Sequence, residues 1–277
     1  MMDTSVGNRG HLYRAFSRLL RKKLAIACLT TISIIYFLGI FAPLIAPYGY
    51  NEQDYQSIRE APTFQHIAGT DLKGRDVFSR MLYGAQISLL VGFVAVGIST
   101  GIGILLGSVA GFYRGWVDSF IMRIVDIMLS IPSFFLILAV IAFLTPSIWN
   151  IMIVIGLTSW MGVTRLVRAE FLSLRGREFV MASEAMGSSD LKIILLHLLP
   201  NSMTPIIVSS VLGIASAVLV ESGLSFLGLG VQAPTASWGN ILTDGKEYIQ
   251  FAWWLSLFPG LAILLTVLGY NLLGEGL

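Results

Sequence analysis

Charged residues are scarce in this chain of 277 residues. Asp, Glu, Lys and Arg make up 12% of the sequence, whereas hydrophobic residues make up 55%. A water-soluble protein usually carries about a quarter charged residues, so most of this chain must lie in a medium other than water. The composition therefore indicates an integral membrane protein. The net charge of +2 is too small to indicate a nucleic-acid partner.

Cysteine and histidine are also nearly absent. The single Cys28 lies in an apolar run, where it forms no intrachain disulfide and is expected to be a small buried hydrophobe. His11, His66 and His197 are too scattered to indicate a metal site or a general base. Residues 97–101 match G-x-S-x-G, but they lie in an uncharged run rather than at the strand-to-helix turn that a serine nucleophile requires. The sequence therefore does not predict a hydrolase.

A nucleotide-binding P-loop is missing as well. Residues 69–76 resemble one superficially, but Arg75 replaces the lysine and Asp76 replaces the serine or threonine that binds Mg²⁺. No other segment fits G-x-x-x-x-G-K-[ST]. We therefore do not expect this chain to be an enzyme, and any ATP hydrolysis must occur on a separate polypeptide.

Long uncharged runs predict six transmembrane helices, because about 20 apolar residues span the hydrocarbon core. A basic segment over residues 1–23 precedes the first helix at 24–46, and a polar segment follows at 47–86. The first run is too long for a cleaved signal peptide. Residues 87–276 form the core, with helices near 87–111, 124–145, 148–168, 203–229 and 251–273.

The distribution of Lys and Arg predicts the orientation. Thirteen of them fall before the first helix and in the segments that follow the second and fourth helices, and five fall on the other side. Both termini and residues 170–201 are therefore expected in the cytosol, and residues 47–86 outside the cell. In the second helix Gly103, Gly107 and Gly111 recur every four residues, which predicts close packing against another helix.

Residues 177–201 form a polar interruption in the apolar second half. Good helix formers from Glu178 to Met186 predict a helix that ends at Gly187. Ser188 to Asp190 can cap a second short helix, which Pro200 is expected to stop. A helix, a bend and a helix suit docking into a groove on another protein, although an ordinary cytosolic loop is an equal alternative.

Several motifs in order carry a family resemblance. The polar segment before the second helix contains Gly69-Thr70-Asp71 and Gly74-Arg75-Asp76, and the cytosolic segment contains Ala182, Gly187 and Leu199-Pro200-Asn201. Further matches are Ser79-Arg80, Arg123 with Asp126, Ile131-Pro132-Ser133, Trp160, Arg165, Arg168, Leu224 to Gly230, Ser237-Trp238-Gly239, Phe258-Pro259-Gly260 and Asn271 to Gly274. Together they resemble the second permease subunit of dipeptide, oligopeptide and nickel ABC transporters. Met181, Ser183 and Gln86 depart from that pattern.

The resemblance implies a type I ABC transporter fold in a bacterial or archaeal cytoplasmic membrane. The implied partners are a homologous second permease, two cytosolic ATP-binding subunits that carry ATP and Mg²⁺, and an extracytoplasmic substrate-binding protein. It also implies alternating access, with the cytosolic helices as levers. The expected ATPase-coupling residues are Ala182, Ser183, Gly187, Ser188, Asp190 and His197. It leaves open whether the cargo is a dipeptide, an oligopeptide, a nickel chelate or another solute.

Two acidic residues keep other hypotheses open. Glu221 lies within a predicted membrane helix, where a carboxylate is unfavourable by roughly 2.5–3.5 kcal/mol unless it is paired, protonated or hydrated. It either faces the translocation pathway or forms a structural hydrogen bond. With Asp126 it would be a relay in the alternative function, a proton-coupled secondary transporter. Outside the membrane, Asp71, Arg75, Asp76 and Arg80 are expected to pair with one another and to brace the structure, and contact with the substrate is the alternative role.

Overall fold

The computed structural model describes residues 23–276, and the regular secondary structure of these residues is helical, without any strand. The predicted basic segment lies outside the described residues except for Lys23. The helices are α1 (Lys23–Ile40), α2 (Ala42–Ile45), α3 (Val77–Tyr113), α4 (Gly115–Leu129), α5 (Ser133–Ala142), α6 (Ile148–Leu157), α7 (Trp160–Arg175), α8 (Glu178–Ala185), α9 (Asp190–Ile193), a π-helix (Ile194–Leu198), α10 (Leu199–Phe226), α11 (Trp238–Gly245) and α12 (Trp254–Gly276).

Five helical segments are long and apolar enough to cross a membrane. They are Lys23–Ile40, Val77–Tyr113, Ile148–Arg175, Asp190–Phe226 and Trp254–Gly276. A sixth is obtained if α4 and α5 together count as one span. The chain is therefore an all-α integral membrane protein, and the six predicted spans correspond to these five segments and the α4–α5 pair.

The α4–α5 pair differs from the single helix expected near 124–145. The two helices meet at an angle of 79°. Pro132 lies in the break, and it has no backbone N–H and disfavours helical geometry at Ile131. The same motif that contributed to the family resemblance is therefore also the place where the span bends.

The second span begins ten residues earlier than the predicted residue 87. Asp76 caps α3, because its side chain accepts a hydrogen bond of 2.7 Å from the backbone N–H of Ser79. The charged Arg80 is accommodated inside this helix because it is buried against Asp71. The second span therefore starts at Val77, and the prediction from uncharged residues alone placed its start too late in the chain.

The expectation that Pro200 stops the second cytosolic helix was wrong. Pro200 lies in the first turn of α10, and helix continues without interruption from Asp190 to Phe226. Proline lacks an N–H and collides with the carbonyl four residues earlier in a regular α-helix. The π-helix Ile194–Leu198 precedes it directly, and the wider turn relieves this conflict.

The predicted glycine strip lies against α7. A Cβ atom added to Gly103 or Gly111 would lie 2.5 Å from the Cβ of Val163 or 2.6 Å from the Cβ of Phe171, respectively. At Gly107 it would lie 2.7 Å from the backbone oxygen of Thr164. These distances are well inside van der Waals contact, so the close approach of α3 and α7 depends on the absence of side chains at the three positions.

Candidate translocation and coupling site

A cavity of about 330 Å³ lies between α3, α7 and α10, beside the bend that joins α4 and α5. None of its lining residues, all within the described chain, carries a charge. The lining hydroxyls belong to Ser99, Thr100, Ser133, Thr158, Ser159, Ser209, Ser210 and Ser216. Thr100 Oγ1 and Ser210 Oγ hydrogen-bond across α3 and α10 at 3.0 Å. Because a hydroxyl both donates and accepts, this surface can bind amide groups or water without selecting for charge.

Glu221 lies outside that cavity and is completely buried in α10. Its Oε1 accepts a hydrogen bond from Ser225 Oγ at 2.7 Å, and its Oε2 accepts one from Ser88 Oγ at 3.2 Å. The two serine oxygens in turn accept from the backbone N–H groups of Val231 at 3.1 Å and Trp238 at 3.3 Å. The carboxylate thus holds the segment between α10 and α11 through two serines, which supports the structural hypothesis over the pathway hypothesis.

Asp126 is not brought together with Glu221. It is about half exposed in α4, and its Oδ1 accepts a hydrogen bond of 2.5 Å from Arg165 of α7. One turn further along α7, Arg168 makes two hydrogen bonds of 2.5 and 2.6 Å to the carboxylate of Asp118. The two ion pairs attach α4 to α7. Asp126 is thus paired with Arg165 and does not form a proton relay with Glu221 in this structure.

The polar segment before α3 contains a buried charge cluster. Arg75 Nε donates to Asp71 at 2.6 Å, and Arg80 also donates to Asp71. Burial would raise the pKa of Asp71, but the two guanidiniums and neighbouring backbone N–H groups hold it below its ordinary value. Asp76 pairs with His66 at 2.9 Å instead of with the arginines. The predicted pairing is therefore confirmed for three of the four residues.

Sequence reasoning missed Asp244, the fourth member of this charge cluster. Its Oδ2 lies 3.2 Å from Arg75 Nη2 and 2.9 Å from Arg80 Nη1. Asp244 lies in α11, far from both arginines along the chain, and no spacing pattern links them. The only signal in the sequence was an acidic residue in the short polar segment between two apolar runs.

The helical unit predicted within residues 177–201 begins as expected. Helix α8 ends at Ala185, and Gly187 follows with a φ of +77°, a conformation that favours glycine. The N–H of Ser188 donates to Ser183 O at 3.1 Å, and that of Gly187 donates to Glu184 O at 2.9 Å. This is a Schellman termination. The predicted cap of the second helix was wrong, because Ser189 occupies the N-cap position without a side-chain hydrogen bond.

The two faces of α8 differ in how far they are buried. Ser183 is 2% exposed and faces the protein, and its hydroxyl has no hydrogen-bond partner among the described residues. Ala182, Gly187 and Asp190 are exposed, whereas Ser188 and His197 are half-buried. The large exposed apolar side chains on this unit are Phe179, Met181, Met186, Leu191, Leu195 and Leu196. The surface available to another protein is thus more apolar than the predicted residues alone suggest.

The inner face of α8 attaches it to the bundle. Val180 is fully buried in a cluster with Phe171 and Ile193. Arg175 donates a hydrogen bond to the carbonyl oxygen of Phe112 at the end of α3, and its Nε lies 3.8 Å from Glu184 Oε1 in α8. These contacts fix α8 against the membrane helices, because close-packed interiors deform little.

The fold is that of a type I ABC importer permease. The chain is similar to the permease chain of the methionine ABC transporter MetNI in an inward-facing conformation, with a TM-score of 0.58 and 19% identity. The likeness covers 72% of this chain and 94% of that one. At this identity it shows the fold alone.

Sequence comparison identifies the family. Residues 103–277 match the family described as binding-protein-dependent transport system inner membrane component, and residues 12–62 match the N-terminal transmembrane domain of oligopeptide transport permease C. The chain belongs to this family of transport permeases, which work in complexes with ATPase subunits.

Individual relatives resemble almost the whole chain. The dipeptide transport system permease protein DppC of Alkalihalophilus pseudofirmus is 46% identical over 95% of this chain and 86% of its own length. The di/tripeptide transport system permease protein DppC of Pseudomonas aeruginosa is 42% identical over 88% of this chain and 82% of its own. The probable D,D-dipeptide transport system permease protein DdpC of Escherichia coli is also 42% identical, over 92% of this chain and 85% of its own length.

Proposed function

We propose that this chain forms half of the translocation pathway for short peptides in an ABC importer of a bacterial or archaeal cytoplasmic membrane. The observation that carries the proposal is the similarity to permeases of dipeptide and tripeptide systems over 88–95% of the chain. The cavity supports it, since uncharged hydroxyl groups suit the passage of peptides whose side chains differ in charge.

The other half of the pathway would be a homologous second permease. Two ATP-binding subunits would dock on the cytosolic unit formed by α8, α9 and the π-helix, and an extracytoplasmic binding protein would deliver the peptide. The exposed side chains of Phe179, Met186 and Leu191 are suited to an apolar groove on an ATPase subunit. ATP and Mg²⁺ would bind to those subunits, and closure of the ATPase pair would move α8 and open the bundle outward.

Purification from the native membrane tests this function. We expect a tagged chain to co-purify with a second six-helix protein and with P-loop subunits. Vesicles that contain the complex should accumulate a labelled dipeptide when they are supplied with ATP and the binding protein. Uptake by the chain alone, driven by a proton gradient, would instead establish the secondary transporter.

Gly187 provides a test of the coupling role. Gly187→Asp places a charge at the apolar docking surface, whereas Gly187→Asn has nearly the same shape and also tolerates positive φ. Both variants should insert normally. We expect Gly187→Asp to hydrolyse ATP without peptide uptake and Gly187→Asn to retain most of its uptake. Normal uptake by Gly187→Asp would contradict the assignment of this surface.

A further inference from the structure

A second polar cavity, of about 180 Å³, lies at the opposite end of the molecule from α8. It is bounded by the segment before α3, the segment after α10, and α11. Three cations line it, Lys73, Arg75 and Arg80, and Asp244 is the single acidic residue among the lining side chains. Asp71 lies behind the arginines and is fully buried. Neither the hydroxyl-lined cavity nor the coupling surface includes these residues.

The charges of this cavity do not balance. Arg75 and Arg80 are matched by Asp71 and Asp244, as the four ion pairs between them indicate. Lys73 lies at the rim and forms no ion pair with any residue in the range 23–276. One positive charge is thus left over, and a single carboxylate would neutralise it.

Hydrogen-bond donors are left over too. Arg80 is 2% exposed, and its Nε, although buried, has no hydrogen-bond partner among the described residues. Each guanidinium carries more N–H donors than the two aspartates take up. An unpaired buried donor is costly, and a planar guanidinium fits the fork of a carboxylate. The donors and the charge therefore indicate the same ligand.

We propose that this cavity is a binding site for a carboxylate presented from the extracytoplasmic side. The carboxylate would accept hydrogen bonds from the guanidiniums and lie close to the ammonium group of Lys73. Two sources fit this chemistry, the carboxyl terminus of a peptide and an acidic side chain of a docking protein. The site is defined by the geometry of this chain alone, so it can be tested without transport and independently of the proposed function.

The test is a binding measurement on the purified full chain in detergent, by titration calorimetry. The probes are N-acetyl-dialanine, its C-terminal amide, and N-acetyl-glutamyl-alanine amide, which carries only a side-chain carboxylate. We expect the acids to bind and the dialanine amide not to bind. Preference for the terminal acid would identify a peptide end, whereas equal or stronger binding of the glutamyl probe would identify an acidic side chain. Equal binding of all three probes, or none, would refute the site.

Two variants connect that binding to this cavity. Lys73→Gln removes the charge at the exposed rim and should weaken acid binding about twofold to fivefold. Asp244→Asn removes the competing carboxylate and should strengthen binding about threefold or more, while its amide oxygen still accepts from an arginine. Ser210→Ala in the hydroxyl-lined cavity is the control and should leave the affinity unchanged. Acid binding that is lost in Ser210→Ala and unaffected by Lys73→Gln and Asp244→Asn would place the ligand elsewhere and overturn the proposal.

Discussion

The contact between α3 and α7 leads to a sharp stability prediction for Gly107→Ala. The new Cβ would lie 2.7 Å from both Thr164 O and the Cβ of Val167, whereas ordinary contacts begin near 3.4 Å. A backbone oxygen cannot rotate away, so the helices must separate by several tenths of an ångström. Overpacking of this kind usually costs about 1–3 kcal/mol. For a chain of this size such a loss lowers the unfolding midpoint by roughly 2–12 °C.

The single cysteine supplies the assay, and Gly101 supplies the matched control. Cys28 is buried in α1, so a thiol-reactive dye added to the detergent-solubilised protein should report unfolding during heating. A Cβ on Gly101, in the same helix, would meet nothing within 4 Å. Gly101→Ala should therefore be neutral or stabilising by up to about 1 kcal/mol through helix propensity. Equal midpoints for the two variants would refute the packing argument.

Three further predictions concern buried polar groups, and each can be measured with the same dye. Glu221→Gln presents an amide donor to serines that already donate, so it should lower the free energy of unfolding by about 1–3 kcal/mol. The assembled complex should still transport peptide. Lost uptake at an unchanged unfolding midpoint would instead indicate that Glu221 belongs to the pathway. Ser183→Ala removes an unpartnered buried hydroxyl and should stabilise the chain by about 1 kcal/mol, and a lower midpoint would show that the hydroxyl is bonded. Asp71→Asn should cost about 3–5 kcal/mol at neutral pH. The pKa of Asp71 is lowered in the folded protein, so its charge stabilises the fold at neutral pH and this stabilisation is lost on acidification. The difference in unfolding free energy between the original chain and Asp71→Asn should therefore shrink at low pH. A difference that grows on acidification would contradict the ion pairs.

The membrane architecture could be predicted from the sequence because it follows from local properties. Uncharged runs predicted the membrane spans. The four-residue spacing of Gly103, Gly107 and Gly111 predicted the surface at which α3 packs closely against another helix. The end of α8 was predictable because Gly187 adopts a backbone conformation that few other residues tolerate. In each case the determining residues are neighbours in the sequence.

The differences from the sequence predictions had two kinds of cause, local backbone geometry and contacts between residues far apart in the chain. Pro200 normally ends a helix, but an adjacent π-helix accommodates it. Ser183 was expected to contact an ATPase subunit although it departs from the family pattern, and in the structure it lies on the buried face of α8 together with Val180. Asp244 was missed because its partners lie more than 160 residues away in the chain. Such pairings depend on how the helices assemble, which no local spacing encodes.

Helix α10 joins the two ends of the molecule mechanically. Its 28 residues form a rod about 42 Å long, with the π-helix at its foot and Glu221 near its tip. A tilt of one degree at the foot would move the tip by roughly 0.7 Å, which exceeds the range of about 0.5 Å over which donor–acceptor distances in hydrogen bonds vary. The serines bonded to Glu221 would carry that displacement to the segment before α11. A small rotation on one side of the membrane would in this way change hydrogen bonds on the other.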